Sequence, residues 1–304
     1  MKRFSIIGAG RLGTSLGSAL TRRGWELAVI ADRDPAEARE SRRIIGRGTA
    51  SADIGRAVRA AGVLVISVPD DAVEAVARKL ARAGGDWSGR TVFHTSGLLG
   101  SSALAPLRAR GARVASLHPV QSFPAKAGGA RLFRGISWGI EGDGEAVRLG
   151  KEIARSLGGR PFVVREEAKP LYHAACSLAS NAFVALEAAA AALLAEAGAG
   201  RKRAPAVLTP LVQGTLQSVK KIGLEKALTG PIVRGDVGTV RRHLEALASR
   251  PLHDELYRVL GMETIRLLSG GKTPPRRLRA LRRLLEDRRL PLPGARRTSR
   301  RRAP

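Results

Sequence analysis

The chain has 304 residues, 53 of them Lys or Arg against 26 Asp or Glu, a formal charge of +27. That length suits two domains with real cores, and 44% apolar with 26% charged residues is a globular composition. The single Cys176 excludes an intramolecular disulfide and a multi-cysteine zinc site.

In chain order, Arg3–Gly8 reads as a buried strand and 11–23 as a helix. Glu26–Ala31 is a second strand, and a further helix starts after Asp34-Pro35. Gly62–Val68 is too apolar to have a wet face, and 70–83 follows as an amphipathic helix with Val73, Val76, Ala77 and Leu80 on one side. More strand-like runs stand at 91–94, 113–117, 136–140 and 161–164. Strands alternating with helices predict an α/β fold with a mainly parallel sheet. From Glu166 the texture is wholly helical, with helices expected over 169–197, 206–222, 237–249 and 252–268. The segment 228–236 is read as a non-helical insert with Asp236 capping the next helix.

The expected organisation is a domain over 1–165, a helical domain over 166–271 and a basic tail over 272–304. The tail carries 13 basic and two acidic residues, +11 of the +27. One short helix is expected in it, at 275–289, with disorder beyond. The longest apolar stretch, Ala188–Ala195, lies between Glu187 and Glu196, well short of the roughly 18–20 uncharged residues of a membrane span. The N-terminus enters a β-run without a signal-peptide core, so the expected compartment is the cytoplasm.

Gly8-Ala9-Gly10-Arg11-Leu12-Gly13 is a G-x-G-x-x-G between a strand and a helix, the context a dinucleotide fingerprint requires. Gly8 permits the turn, Gly10 lets backbone approach a pyrophosphate, and Gly13 lets helix pack on sheet. Arg11 and Leu12 bring N–H groups to the helix start. At the end of the second strand stand Asp32 and Arg33. The acid suits the ribose 2′-hydroxyl of NAD and the guanidinium the 2′-phosphate of NADP. The reading leans to NADP, with NAD the alternative.

Ser67-Val68-Pro69, His94-Thr95-Ser96 and His118 occupy successive strand ends, where such sheets bind ligands. Ser67, Val68, Pro69, Thr95 and Ser96 are assigned to the cofactor, His94 and His118 to the substrate. On the first long helix, Lys169, His173, Ser177 and Asn181 step by four and form one polar stripe. A stripe of that kind faces a ligand, water or a partner helix.

Together with Thr229-Gly230-Pro231 and Arg234-Gly235-Asp236, these residues resemble Rossmann-like oxidoreductases with a C-terminal helical domain of unknown function. Those are relatives of ketopantoate reductase, pyrroline-5-carboxylate reductase and 6-phosphogluconate dehydrogenase. The resemblance spans about residues 3–270. It implies a Rossmann-type doubly wound sheet, NADP as cofactor, and a helical domain that packs as a homodimer. In the wider group a Lys and an Asn four residues apart bind and protonate substrate. Asn181 matches the Asn, but Ser177 stands where the Lys would be, so His173 is the substitute acid and Lys169 the second choice.

The expected function is reduction of a small, anionic carbonyl or imine substrate such as a 2-oxo acid, ketopantoate first, with Arg234 available for its carboxylate. A non-catalytic NADP-binding sensor is the alternative. No membrane partner is expected, and nucleic acid is disfavoured because 4% aromatic residues offer no stacking platform.

Overall fold

Alternation along the strands sorts side chains to the two faces of one sheet, and each face receives its own helices. In the computed structural model, which describes residues 2–268 and 273–288, the elements of the first unit run as follows. They are β1 (Arg3–Ile7), α1 (Arg11–Arg22), β2 (Glu26–Ala31), α2 (Pro35–Ile45), β3 (Thr49–Ser51), α3 (Ile54–Ala60), β4 (Val63–Ile66) and α4 (Asp70–Arg82). Then come β5 (Thr91–His94), α5 (Ala105–Arg108), β6 (Arg113–Pro119), β7 (Ser137–Gly142), α6 (Gly144–Ser156), β8 (Arg160–Val163) and α7 (Lys169–Ser177).

The sheet order is β3-β2-β1-β4-β5-β6-β7-β8, parallel except that β6 and β7 run antiparallel. Order reverses between β1 and β4, which opens a crevice at the carboxyl ends of those strands. Phe4, Ile6, Val65, Phe93 and Leu117 belong to one buried layer, with α1 residues Leu16 and Leu20 and α6 residue Ile153. Ile7, Leu64, Ile66, Val92 and Val114 belong to the other, with Val73 and Leu80 of α4. β3 was absent from the strands delineated in sequence: three residues, Thr-Ala-Ser, carry no apolar signature.

The chain divides into compact units at Phe183/Val184. α7 goes with the first unit because it carries Lys169 into the buried end of the sheet. A π-helical turn, Leu178–Ala182, links α7 to α8 (Phe183–Leu194). The second unit continues with α9 (Ala204–Ile222), α10 (Leu224–Ala227), α11 (Pro231–Arg234), α12 (Val237–Leu247), α13 (Pro251–Leu267) and α14 (Pro275–Glu286). The insert expected to be non-helical contains α11, started by Pro231 at its first position and stopped by Gly235 at φ 69°. Asp236 caps α12 as expected, accepting from Thr239 N–H at 3.0 Å.

The helix expected in the basic tail forms as α14. Its Leu281, Leu284 and Leu285 are buried in one cluster with Val240, Leu244 and Ile265, so this stretch is part of the helical core. Arg258 of α13, 6% exposed, pairs with Asp254 at 2.7 Å and donates to the carbonyls of Leu284, Leu285 and Asp287. It thereby satisfies the orphan carbonyls at the end of α14 with a cation, the sign the helix dipole favours there. The part of the tail expected to be disordered, 290–304, lies outside the described residues.

Candidate functional site

The glycine-rich turn forms because two of its positions exclude a side chain. Gly8 has φ +105°, and a Cβ there would sit 2.2 Å from the Ser67 carbonyl oxygen. A Cβ at Gly13 would be 2.1 Å from the Gly8 oxygen. Gly10 differs: it begins α1 with no side-chain cap, and nothing lies within 4 Å of where its Cβ would be. The first N–H groups of α1 thus face open space with no acidic residue in the first turn, a ready seat for an anion.

Asp32 is turned inward. Its carboxylate accepts from Ala9 N–H at 2.8 Å and Asp34 N–H at 3.0 Å, which braces the glycine turn from β2. Arg33 beside it is exposed.

A cavity of about 330 Å³ opens in front of this turn. Gly10, Arg11 and Leu12 line one side, and Ser67, Val68, Thr95 and Ser96 form the strand-end wall. Thr95 Oγ1 donates to Ser67 Oγ at 3.2 Å, tying β5 to β4 at the rim. Pro69, expected in that wall, is exposed at the N-cap of α4, and Asp70 lines the cavity instead.

The two strand-end histidines differ. His94 is wholly buried, with Nε2 against the Gly100 carbonyl at 2.9 Å and Nδ1 accepting from Ser96 N–H at 3.2 Å. Both nitrogens serve the backbone of the loop after β5, so the expectation that His94 meets substrate is corrected: it is a loop fastener. Burial, outweighing the Gly100 bond, pulls it down to about 4. His118 does line the cavity, with Nδ1 2.6 Å from the Tyr172 hydroxyl. Burial first, then the charge of Lys169, pulls it down to about 3, so it is a neutral imidazole at pH 7.

Lys169 also departs from expectation. It is 1% exposed, donates to Ser116 Oγ at 2.7 Å and the Ser96 carbonyl at 3.2 Å, and lines neither this cavity nor its neighbour. It cannot reach substrate as an acid. Burial lowers it to about 8, and its effect on the site is through its charge beneath His118. At the N-terminus of α7 the four-residue step enters the sheet end rather than the crevice.

His173, Ser177 and Asn181 line a second cavity of about 430 Å³, which shares His118, Gln121 and His173 with the first. The rings of His118 and His173 are 6.2 Å apart and nearly perpendicular. Gly97 lies between them: a Cβ there would be 2.7 Å from His173 Cδ2 and 2.9 Å from His118 Nε2. The wide π-turn brings Ser180 to the same wall, where its hydroxyl meets Ser122 at 3.0 Å. Such turns are frequent at functional sites. Arg234 is exposed at the end of α11 in the second unit.

The site roles assigned from sequence did not extend to Gln121, Ser122, Ser180 or Tyr172, because none of the four falls on the four-residue step of the helix. The assembled site has an anion seat, neutral hydrogen-bond donors at its centre, and two half-buried imidazoles, His118 and His173.

Residues 2–119 match a Rossmann-like domain, and residues 136–264 match a domain of unknown function, DUF2520. Among solved structures the chain is similar to a protein from Thermotoga maritima (27% identity, TM-score 0.68, covering 88% of this chain and 98% of that one). It is also similar to a protein from Bacteroides fragilis described as a candidate NADP oxidoreductase (24%, 0.71, 86% and 97%). A reductive aminase from Aspergillus terreus, in complex with NADPH and ethyl-5-oxohexanoate, is similar at 16% identity and TM-score 0.58, covering 94% and 93%. No curated protein matches the chain. These likenesses agree with the observed fold, a mostly parallel sheet followed by helices.

Proposed function

We propose that this chain, in which a Rossmann-like domain is joined to a DUF2520 domain, is an NADP-dependent oxidoreductase that reduces a small carbonyl or imine. The observation that carries the reading is the cavity itself, with the uncapped start of α1 on one side and the His118–His173 pair on the other. The residues fit the cofactor: Gly8 and Gly13 leave no room for side chains, whereas the space over Gly10 is open to a pyrophosphate. Asp32 is engaged by backbone and Arg33 is exposed, which supports the 2′-phosphate of NADP over a bare ribose. The neighbour solved with NADPH supports the same cofactor.

When bound, the nicotinamide supplies the hydride. The chain does the rest: Ser177 and Asn181 orient substrate by hydrogen bonds, His118 donates a hydrogen bond to the reacting oxygen or nitrogen, and His173 delivers the proton. Among the described residues Arg11 is the only Lys or Arg lining either cavity, because Lys169 is sealed beneath. A 2-oxo acid, ketopantoate first, is the anionic substrate to test, beside uncharged ketones and cyclic imines.

The test is NADPH oxidation with that panel. Turnover by the wild type that falls about a hundredfold in His173→Ala and Asn181→Ala supports the reading. Arg33→Ser is expected to weaken NADPH binding about tenfold and leave NADH binding unchanged. NADPH binding without turnover on any panel member would instead favour a non-catalytic sensor.

The helical unit supports a homodimer. Of the nineteen residues of α9 only Ala204 is buried, and Val207 and Leu211 are 52% and 68% exposed one turn apart. Val184 and Leu252 are similarly bare. Helix 166–199 has the length and mean hydropathy, 1.7, of a membrane span, which the count of uncharged residues had not suggested. A helix covered by a second copy has the same composition. Light scattering without detergent is expected to give twice 32.2 kDa, and Leu211→Glu to give monomers. A wild type that needs detergent to stay dispersed would contradict the dimer.

A further inference from the structure

Tyr172 takes no part in the function as read so far, yet a seat is built for it. Its hydroxyl lies against strand β7 at Gly139, where a Cβ would be only 2.5 Å from the phenol oxygen. Any other residue at 139 would expel the phenol. Gly139 is also the residue opposite His118 in the β6–β7 ladder, so the seat and the imidazole share one register. Burial, with the Cys176 side chain one turn along α7 adding to it, pushes the phenol up, so it keeps its hydrogen. The His118 and Tyr172 rings meet edge to face at 5.5 Å, which fixes the plane of the imidazole.

A phenol has one hydrogen to give. The hydroxyl lies 2.6 Å from His118 Nδ1; a phenol is a strong donor and a weak acceptor, and a bare imidazole nitrogen is the stronger base, so that hydrogen goes to Nδ1. A neutral imidazole whose Nδ1 accepts must carry its own hydrogen on Nε2. Nε2 is the edge beside Gly97, where the missing side chain leaves the approach clear.

We infer that Tyr172 is a positioning residue that locks His118 as the Nε2–H tautomer, so that an uncharged imidazole donates to the substrate's carbonyl oxygen or imine nitrogen. The inference rests on the reductase reading for the identity of the acceptor, but not for the tautomer. Burial and the neighbouring Lys169 charge keep the ring unprotonated, so the donor does not change with pH across the neutral range. A neutral donor stabilises developing negative charge on oxygen without surrendering its proton, which leaves protonation to His173. Gly97 and Gly139, on separate strands, are the two gaps this arrangement requires, and Lys169 is the charge beneath it.

The tautomer can be read directly by nitrogen NMR on the full chain labelled at histidine, with the His118 signals assigned by His118→Gln. The expected wild-type spectrum has a bare Nδ1 and a protonated Nε2, unchanged between pH 5.5 and 8. Tyr172→Phe, which keeps the ring and removes the hydroxyl, is expected to give a mixture of tautomers. Gly139→Ala, which displaces the phenol by another route, is expected to do the same. On whichever carbonyl substrate the panel identifies, Tyr172→Phe is expected to lower kcat about a hundredfold with KM changed less than about threefold. A wild-type proton on Nδ1, or an unchanged His118 signal in both variants, would overturn the inference. The normal wild-type tautomer and its loss in Tyr172→Phe, without turnover of any substrate, would uphold the lock and refute the reductase reading alone.

Discussion

Acidification from pH 7 to pH 4 is expected to lower the melting temperature steeply, because two buried histidines resist protonation. In the unfolded chain a histidine titrates near 6.5. In the folded protein His94 is held down to about 4 and His118 to about 3, both first by burial. Between 6.5 and those values the unfolded state binds protons that the folded state does not, so stability falls as pH falls through that window. For His94 alone the loss by pH 4 is about 3 kcal/mol, with a comparable amount from His118. Set against a typical total of about 5–15 kcal/mol, that is a large share.

Lys169 works in the same sense at the alkaline end: its lowering to about 8 means that its burial cost is relieved as pH rises from 8 towards 10.5. Tyr172 opposes it above pH 10, since burial pushes the phenol up and its ionisation favours the unfolded chain. Calorimetric melts from pH 4 to 9 measure the curve, and His94→Gln should flatten its acid limb. Parallel curves for the two proteins would refute the assignment.

The second large effect is expected at the glycine turn. Gly8→Ala places a Cβ 2.2 Å from one backbone oxygen and 2.5 Å from its carbon, at φ +105°. Both obstacles are backbone atoms of Ser67, whose N–H is bonded to Ile7 at 2.7 Å, so no rotamer relieves the clash. β1 and β4 must part, at a cost of about 3 kcal/mol or more. Gly10→Ala is the control, because open space surrounds its Cβ position. It should melt within about 0.5 kcal/mol of wild type and still lose NADPH, since the added methyl occupies the phosphate seat. A Gly8→Ala protein that melts like wild type would refute the steric argument. Undiminished NADPH binding by Gly10→Ala would move the phosphate elsewhere.

These residues divide what is local from what is not. The glycine turn was legible because strand, turn and helix follow each other within a dozen residues, and backbone sterics are a local matter. The long helices of the second unit were legible from their apolar period, including α14 inside a basic segment where charge might have masked it, whereas the one-turn helices α10 and α11 are too short to show a period. β3 and the π-turn were not, being a three-residue polar strand and a one-residue irregularity in an otherwise periodic helix. His94 and His118 look equivalent in sequence, each polar at a strand end. Only the fold gives both nitrogens of His94 to the loop backbone and turns one edge of His118 to the cavity. Lys169 and His173 look equivalent on one helical stripe, and only the docking of α7 buries the first and leaves the second half-open.

The charge divides in the same way. Composition determined that the chain carries +27, and sequence position that +11 of it follows residue 271. The tertiary structure decided what the cations do. Arg258 caps a helix from inside the helical core, Lys169 sits sealed beneath His118, and Arg33 stays exposed beside an Asp32 held by backbone. Sequence determines which groups a chain has and which neighbours share an element. Burial and hydrogen-bond partners come from contacts between elements far apart in the chain, and those decide whether a charged or imidazole group serves structure or chemistry.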